Sequence, residues 1–359
     1  MGRIRALEER DIPRMVDLHR RVFPPPPGTA NGLEASQAYV KELLLAPHSS
    51  DSSPSLVYED DRGEPIGFLG VMPRRMVLRG RPIQTAITAH FVVEPKQRGT
   101  LAALALINTL LSGSQDLTLA DTANEMSRRL WEGLGGATTL LYNFYWFRLF
   151  RPAEYVMARW GRGRRLPAQV PVALGRAADA VLTRALAGLF RPPSPATSGE
   201  DLDGEMLASC VAEFERTRAL RPEYEGRTAA WLMDIVARKP GCEPLRKVLV
   251  RTRTGEVAGW YMYCGRRGSI GEVLQVGARE GRIGDVLDHL FVEAWREGMV
   301  ALVGRIDPRS VDAFSARHCF FHYRGGATLV HARDPELLQT ILEGDVFLTR
   351  LESEWCLSF

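Results

Sequence analysis

The sequence predicts an α/β fold of mixed, mostly antiparallel sheets flanked by helices, arranged as two domains in tandem. Three observations predict it. The stretch 86–111, AITAHFVVEPKQRGTLAALALINTLL, passes from a β-branched and aromatic strand through Pro95 and a basic turn into an Ala/Leu-rich helix. Hairpin patterns precede it, and a short apolar run at 117–120 follows it as the parallel return strand that a helix crossover requires. The same order of hairpin, strand, Gly/Arg turn and helix recurs in the last 159 residues, 201–359.

Taken in order, residues 3–7 read as a strand, and Asp11 with Pro13 marks a helix start, Asp11 as its cap. Ile12, Met15, Val16 and Leu18-His19 give that helix one apolar side as far as Phe23. Residues 24–28 form a polyproline turn and 35–45 a second helix. Strands at 55–59 and 65–71 flank the turn Asp60-Asp61-Arg62-Gly63-Glu64, and a turn at 78–81 leads to the strand 83–93. Pro95 ends the hydrogen-bond ladder, Gly99 supplies the freedom to turn, and Thr100 caps a helix from Leu101 onward. Several backbone N–H groups and a positive dipole end meet at that turn, which makes it an anion site suited to a diphosphate.

At 359 residues the chain exceeds one small domain, and divisions at 1–150, 151–200 and 201–359 are expected. With 45% hydrophobic and 25% charged residues there is material for two cores, and a net charge of +3 is too mild for a nucleic-acid partner. The five cysteines, Cys210, Cys242, Cys264, Cys319 and Cys356, are odd in number and widely spaced, which reads as reduced thiols. Met1-Gly2-Arg3-Ile4-Arg5 lacks the apolar block of a signal peptide, and the apolar run at 101–111 is too short to cross a bilayer, so a cytoplasmic location is expected.

Val93-Glu94-Pro95-Lys96-Gln97-Arg98-Gly99-Thr100-Leu101-Ala102-Ala103 resembles the acyl-CoA-binding segment of the GNAT N-acetyltransferases, V-x-P followed after two residues by R-G-x-G-x-G/A. Arg98, Gly99 and Ala103 match, and Leu101 stands in the place of the second glycine. Asn124-Glu125-Met126-Ser127-Arg128-Arg129-Leu130-Trp131 through Gly135 resembles the family's N-x-x-A-x-x-x-Y-x-x-x-G-F segment, with Trp131 in the tyrosine place. Glu9 to His19 is similar to the family's first helix. The resemblance implies two GNAT-like domains, the second degenerate, and acyl-CoA, commonly acetyl-CoA, as co-substrate without a metal. It implies that Phe91, Val92, Val93, Arg98, Gly99, Thr100, Leu101, Ala102, Ala103, Asn124, Ser127, Arg128 and Trp131 hold that co-substrate. The function implied is acyl transfer to an amine of a small molecule or peptide by direct attack on the thioester. A non-catalytic acyl-CoA-binding scaffold or sensor is the alternative.

Such chemistry needs a polarised carbonyl, a base for the amine and a proton for the departing thiolate. In the family an irregularity of the central strand supplies the polarising N–H, here at Val92 or Val93. His90 and then Glu94 are the candidate bases, since strand alternation puts both on one side and histidine titrates near neutrality. Against this, His90 also reads as a half-buried structural histidine facing a helix. An indole N–H can donate a hydrogen bond but not a proton, so Trp131 is either a sulfur partner or a core aromatic. Tyr142 and Tyr145, on an aromatic strand at 141–147, are the candidate acids in its place or are core residues themselves.

The segment 148–191 carries nine arginines against Glu154 and Asp179. Within it a helix at 172–190, with Leu174, Ala178, Val181, Leu182, Ala185 and Leu189 on one side, reads as interdomain packing or as peripheral contact, through 159–190, with an anionic membrane or a partner. Pro192 to Gly199 is the clearest linker. In the repeat, Arg279 and Gly284 match the family pattern, Glu280 and Arg282 occupy glycine places, and Phe314 stands where tyrosine is expected. His318, Cys319 and His322 lie among aromatics and lack ligand spacing, and Glu343, Asp345, Glu352 and Glu354 are expected on exposed faces.

Overall fold

The computed structural model describes residues 2–24, 32–45, 53–97, 101–160, 175, 177–181, 184, 186–239 and 242–357. The chain starts with β1 (Arg3–Ala6), α1 (Ile12–Val22), α2 (Leu33–Leu45), β2 (Leu56–Glu59), β3 (Pro65–Leu78) and β4 (Arg81–Val93). It goes on through α3 (Ala102–Leu111), β5 (Leu117–Ala123), α4 (Glu125–Gly133) and β6 (Ala137–Thr139). Next come β7 (Phe144–Leu149), α5 (Pro152–Trp160), α6 (Ala187–Phe190), β8 (Ser198–Asp201), α7 (Gly204–Phe214), β9 (Leu220–Pro222) and α8 (Gly226–Ala237). The last part holds β10 (Leu245–Arg251), β11 (Val257–Cys264), β12 (Ile270–Ala278), α9 (Ile283–Arg296), β13 (Ala301–Arg305), α10 (Val311–Ser315), β14 (Phe320–Tyr323), β15 (Ala327–Ala332), α11 (Pro335–Leu342) and α12 (Glu354–Leu357).

These elements form two mixed sheets with helices packed on them. One has the order β1-β2-β3-β4-β5-β15-β6, with β9 paired to β3; the other runs β14-β7-β13-β12-β11-β10-β8. The compact units are interleaved along the chain: 1–143, 216–240 and 325–359 make the first, and 144–215 with 241–324 the second. They differ from the consecutive division expected at 150 and 200. β7 pairs with β13 and β14 in the second sheet, while β15, from near the end of the chain, enters the first sheet between β5 and β6. The Pro/Ser stretch is not a boundary either, because β8 begins within it and pairs with β10 of the same unit. Strand patterning selects a buried face and not a partner, so this exchange leaves no mark in the sequence.

In the first unit α3 lays Ala102, Leu106 and Leu110 on Leu56, Leu69, Val71 and Val93 of the sheet. The second unit is built around Trp146, Phe150, Tyr261, Phe291 and Phe314. Asp11 does not cap α1: its carboxylate accepts the Glu8 amide at 2.9 Å and is gripped by Arg5 at 2.6 and 2.8 Å. The expectation of five reduced thiols is corrected, because Cys242 and Cys264 form a disulfide while Cys210, Cys319 and Cys356 are free and buried. The register that sets Leu245 opposite Cys264 brings residue 242 beside that strand end. Glu352 and Glu354 are likewise not on exposed faces. Glu352 is 3% exposed and lies in a capping box with Thr349, whereas Glu343 is exposed. Among the described residues no helix is long and apolar enough to cross a membrane. Most of the basic stretch 159–190 falls outside the described residues, and of its expected apolar side Ala178, Val181 and Leu189 are exposed.

Candidate active site

The site begins with a fault in the β3–β4 ladder. Phe68 faces Val92 and Gly70 faces Ala89, so the single residue Leu69 opposes both His90 and Phe91, which defines a β-bulge. His90 takes the left-handed conformation there, with φ of 54°. The strands approach so closely that a Cβ on Gly70 would stand 2.7 Å from the Ala89 carbonyl oxygen, and glycine is required at that position. Beyond the bulge the Glu94 amide donates to the Ile66 oxygen at 2.8 Å. Amides alternate sides along an antiparallel ladder, so the Val93 N–H turns to the edge that faces β5.

That edge is open. β4 and β5 pair in parallel only at Thr85–Leu117, Ala86–Thr118 and Ile87–Leu119, although both strands continue, to Val93 and Ala123. β5 keeps β15 as its other neighbour through Ala327–Ala123, and Thr122 adopts φ of 57° on the way. A cavity of about 320 Å³ occupies the opening. β4 contributes Thr88, His90 and Phe91 to its wall, β5 contributes Ala120, Thr122 and Ala123, and α4 contributes Asn124, Ser127 and Trp131. His19 and Phe23 of α1, Leu329 of β15 and Glu354 of α12 complete it from distant parts of the chain.

His90 is 2% exposed, and its ring meets that of His19 edge to face with centroids 5.0 Å apart. Burial depresses His19 to about 4, so it is neutral at physiological pH. The Glu354 carboxylate accepts the backbone N–H of His90, and the Glu354 amide donates to Oδ1 of buried Asp121 at 2.8 Å. Burial, with the Asp121 charge adding to it, holds Glu354 well above the usual carboxylate range. His19, Glu354 and Asp121 were not singled out from the sequence. His19 carried a weak signal, as a polar member of an apolar helix side; Glu354 carried none, being 264 residues beyond His90.

The other expected residues divide clearly. Trp131 both walls the cavity and packs with Ile107, Leu111, Ala120 and Leu329. Asn124 caps α4, accepting the Ser127 amide at 2.9 Å. Val92 and Val93 are buried in the sheet, Ala102 is buried in α3 and Ala103 half-buried beside it. Leu101 is 65% exposed, so its side chain does not plug the opening, and that side chain does not cap α3, which follows it. Arg98, Gly99 and Thr100 lie outside the described residues. Glu94 is not a wall residue: the bulge reverses the alternation that would have set it beside His90, and it pairs with Arg21 at 3.2 Å. Arg128 is engaged by Glu125 at 2.7 Å and Glu132 at 2.9 Å on the surface of α4. Tyr142 donates to the Ile341 oxygen at 3.0 Å within the core, and Tyr145 belongs to the second unit, under the Arg324 guanidinium. Neither tyrosine lines the cavity.

In the second unit β12 and β13 pair as far as Val273–Gly304, one residue before β13 ends at Arg305; Phe314 is stacked on Trp146 at 4.8 Å, and Arg317, held by Asp288, covers Gly284 at the start of α9.

A mixed sheet with a bulged central strand, a parted parallel pair and a helix after it resembles the architecture of the GNAT N-acetyltransferases, and comparison with solved structures agrees. A probable N-acyltransferase from Enterococcus faecalis V583 superimposes with a TM-score of 0.63 at 12% identity, over 96% of this chain and 74% of that one. A GCN5-related N-acetyltransferase from Anabaena variabilis gives 0.61 at 13% over 96% and 75%, and Eis1 from Mycobacterium abscessus gives 0.55 at 14% over 95% and 76%. The chain therefore has the GNAT fold, and the likeness extends over both sheets. No sequence-family model and no curated protein sequence matches it.

Proposed function

We propose that this protein is an acyl-CoA-dependent N-acyltransferase, working in its first unit and passing an acyl group, acetyl in the simplest case, to an amine of a small molecule or peptide. The observation that carries this reading is the parting of β4 from β5 after Ile87 and Leu119, with a cavity in the gap. The residues present fit the co-substrate: the gap takes an extended arm, the exposed Leu101 leaves the start of α3 clear, and that start has amides for a diphosphate. When bound, acyl-CoA supplies a thioester whose carbonyl carbon accepts the amine and whose sulfur departs.

The chain's own groups do the rest. The Val93 N–H is directed into the gap, where it can hold a carbonyl oxygen. His90 takes the proton of the attacking amine. Glu354 accepts the His90 amide and so fixes the bulge that aims the ring. Trp131 has no proton to release, so the proton for the sulfur comes from His90 once it holds the amine's proton, or from Glu354, whose carboxyl burial holds well above the usual range.

Calorimetric titration with acetyl-CoA and a thiol-release assay over a panel of amines test the proposal. Binding that is lost in Arg98→Glu, together with turnover of at least one amine, is expected. The tryptophan in the tyrosine place favours a second reading, an acyl-CoA sensor without turnover, which predicts the same heat and no thiol release with any amine.

A further inference from the structure

A second cavity, of about 660 Å³, lies wholly within the second unit and shares no lining residue with the candidate acyl-transfer site. Arg148 of β7 reaches it as a guanidinium only 3% exposed. Its Nη1 donates to the Leu189 oxygen at 2.6 Å and lies 3.5 Å from the His318 oxygen, while its Nε has no hydrogen-bond partner. Among the described residues no carboxylate pairs with it. The adjacent Cys319 offers no charge, because burial pushes its thiol up to about 12. A buried cation without an anion is costly, and carbonyl oxygens compensate only in part.

The surroundings add positive charge. Arg191 lines the same cavity with its guanidinium 5.3 Å over the Trp295 ring, and among the described residues it too has no carboxylate. Arg317 is neutralised by Asp288 through bonds of 2.8 Å to both carboxylate oxygens. Two guanidiniums are thus left uncompensated, with Ser194 nearby as a further donor and Phe291 and Pro192 as an apolar wall.

We propose that this cavity binds a small phosphate-bearing molecule, its phosphate held by Arg148 and Arg191 and its body lying against Phe291 and Pro192. Two guanidiniums that lack a carboxylate partner among the described residues match a phosphate dianion better than a single carboxylate. The space is larger than a phosphate ion needs, so it has room for the organic body of an ester. The site is independent of the acyl-transfer reading.

The test uses the full chain, with thermal unfolding and calorimetry in inorganic phosphate, pyrophosphate and AMP, against acetate and chloride at matched ionic strength. Phosphate compounds are expected to bind saturably and raise the melting temperature, with AMP the tightest. Arg191→Ala, which alters an exposed side chain, is expected to weaken that binding about tenfold with the ligand-free melting temperature unchanged. Arg148→Met is expected to abolish it; should that variant not fold, Arg191→Ala and Ser194→Ala carry the test. A response to phosphate no greater than to chloride overturns the proposal. So does a response to acetate equal to that for phosphate, or one that Arg191→Ala leaves intact.

Discussion

His90 occupies a backbone position that favours glycine, since φ of 54° crowds the Cβ of most residues. The strained turn holds its ring in the cavity beside His19. A variant that relieves the strain can therefore separate backbone from side chain. His90→Gly keeps the bulge and removes the imidazole, and we predict a fall in kcat/KM of about a hundred- to ten-thousand-fold with acetyl-CoA binding retained, read by steady-state kinetics beside calorimetry. The depressed His19 makes a separate prediction. Below pH 6.5 the unfolded chain takes up a proton that folded His19 refuses until about pH 4, so stability falls as pH drops through that window, by at most about 3 kcal/mol from this residue. Denaturant midpoints measured from pH 7 to pH 4 should fall less steeply in His19→Gln than in the native chain. His90 was legible as a candidate because a histidine in a buried strand stands out. Glu94 was misplaced because alternation holds only for a regular strand, and nothing in the letters of residues 89–92 marks a bulge. Glu354 was hidden because its role depends on contacts made across nearly the whole chain.

At the level of elements, the strand, turn and helix of 86–111 were readable, because a β-branched run, a proline and an Ala/Leu-rich stretch each leave a local trace. The parting of the parallel strands was not readable, since the apolar character of 117–123 is the same whether or not β4 lies beside it. Leu101 departs from the family pattern without closing the gap, because its side chain points to solvent. Leu101→Gly is accordingly expected to change stability by no more than about 0.5 kcal/mol in denaturant melts and to leave acetyl-CoA affinity undiminished. In α4 the cap is structural: Asn124→Ala should cost about 1 kcal/mol, and, as Asn124 and Ser127 both line the cavity, it should also weaken acetyl-CoA binding.

Over the whole molecule, the two-sheet architecture follows from repeated element order, whereas the exchange of β7 and β15 between the sheets does not. The physical reason is that pairing of distant strands is decided by which buried faces meet, and neither strand's composition names its neighbour. The first unit consequently depends on the end of the chain: β15 fills the place between β5 and β6, and α12 brings Glu354 to the bulge. Leu329 of β15 is fully buried and also touches the cavity, so Leu329→Ala should destabilise the first unit by about 2–5 kcal/mol, measured by chemical unfolding. Acyl transfer by the first unit requires the gap between β4 and β5, and calorimetric titration of acetyl-CoA into the native chain and into Ala120→Phe, with folding checked by circular dichroism, tests that requirement most directly. The native chain should bind with a Kd between about 1 μM and 1 mM, while the folded variant, its added ring filling the gap, should give no binding heat. An absence of heat from the native chain, or equal binding by the folded variant, would contradict it.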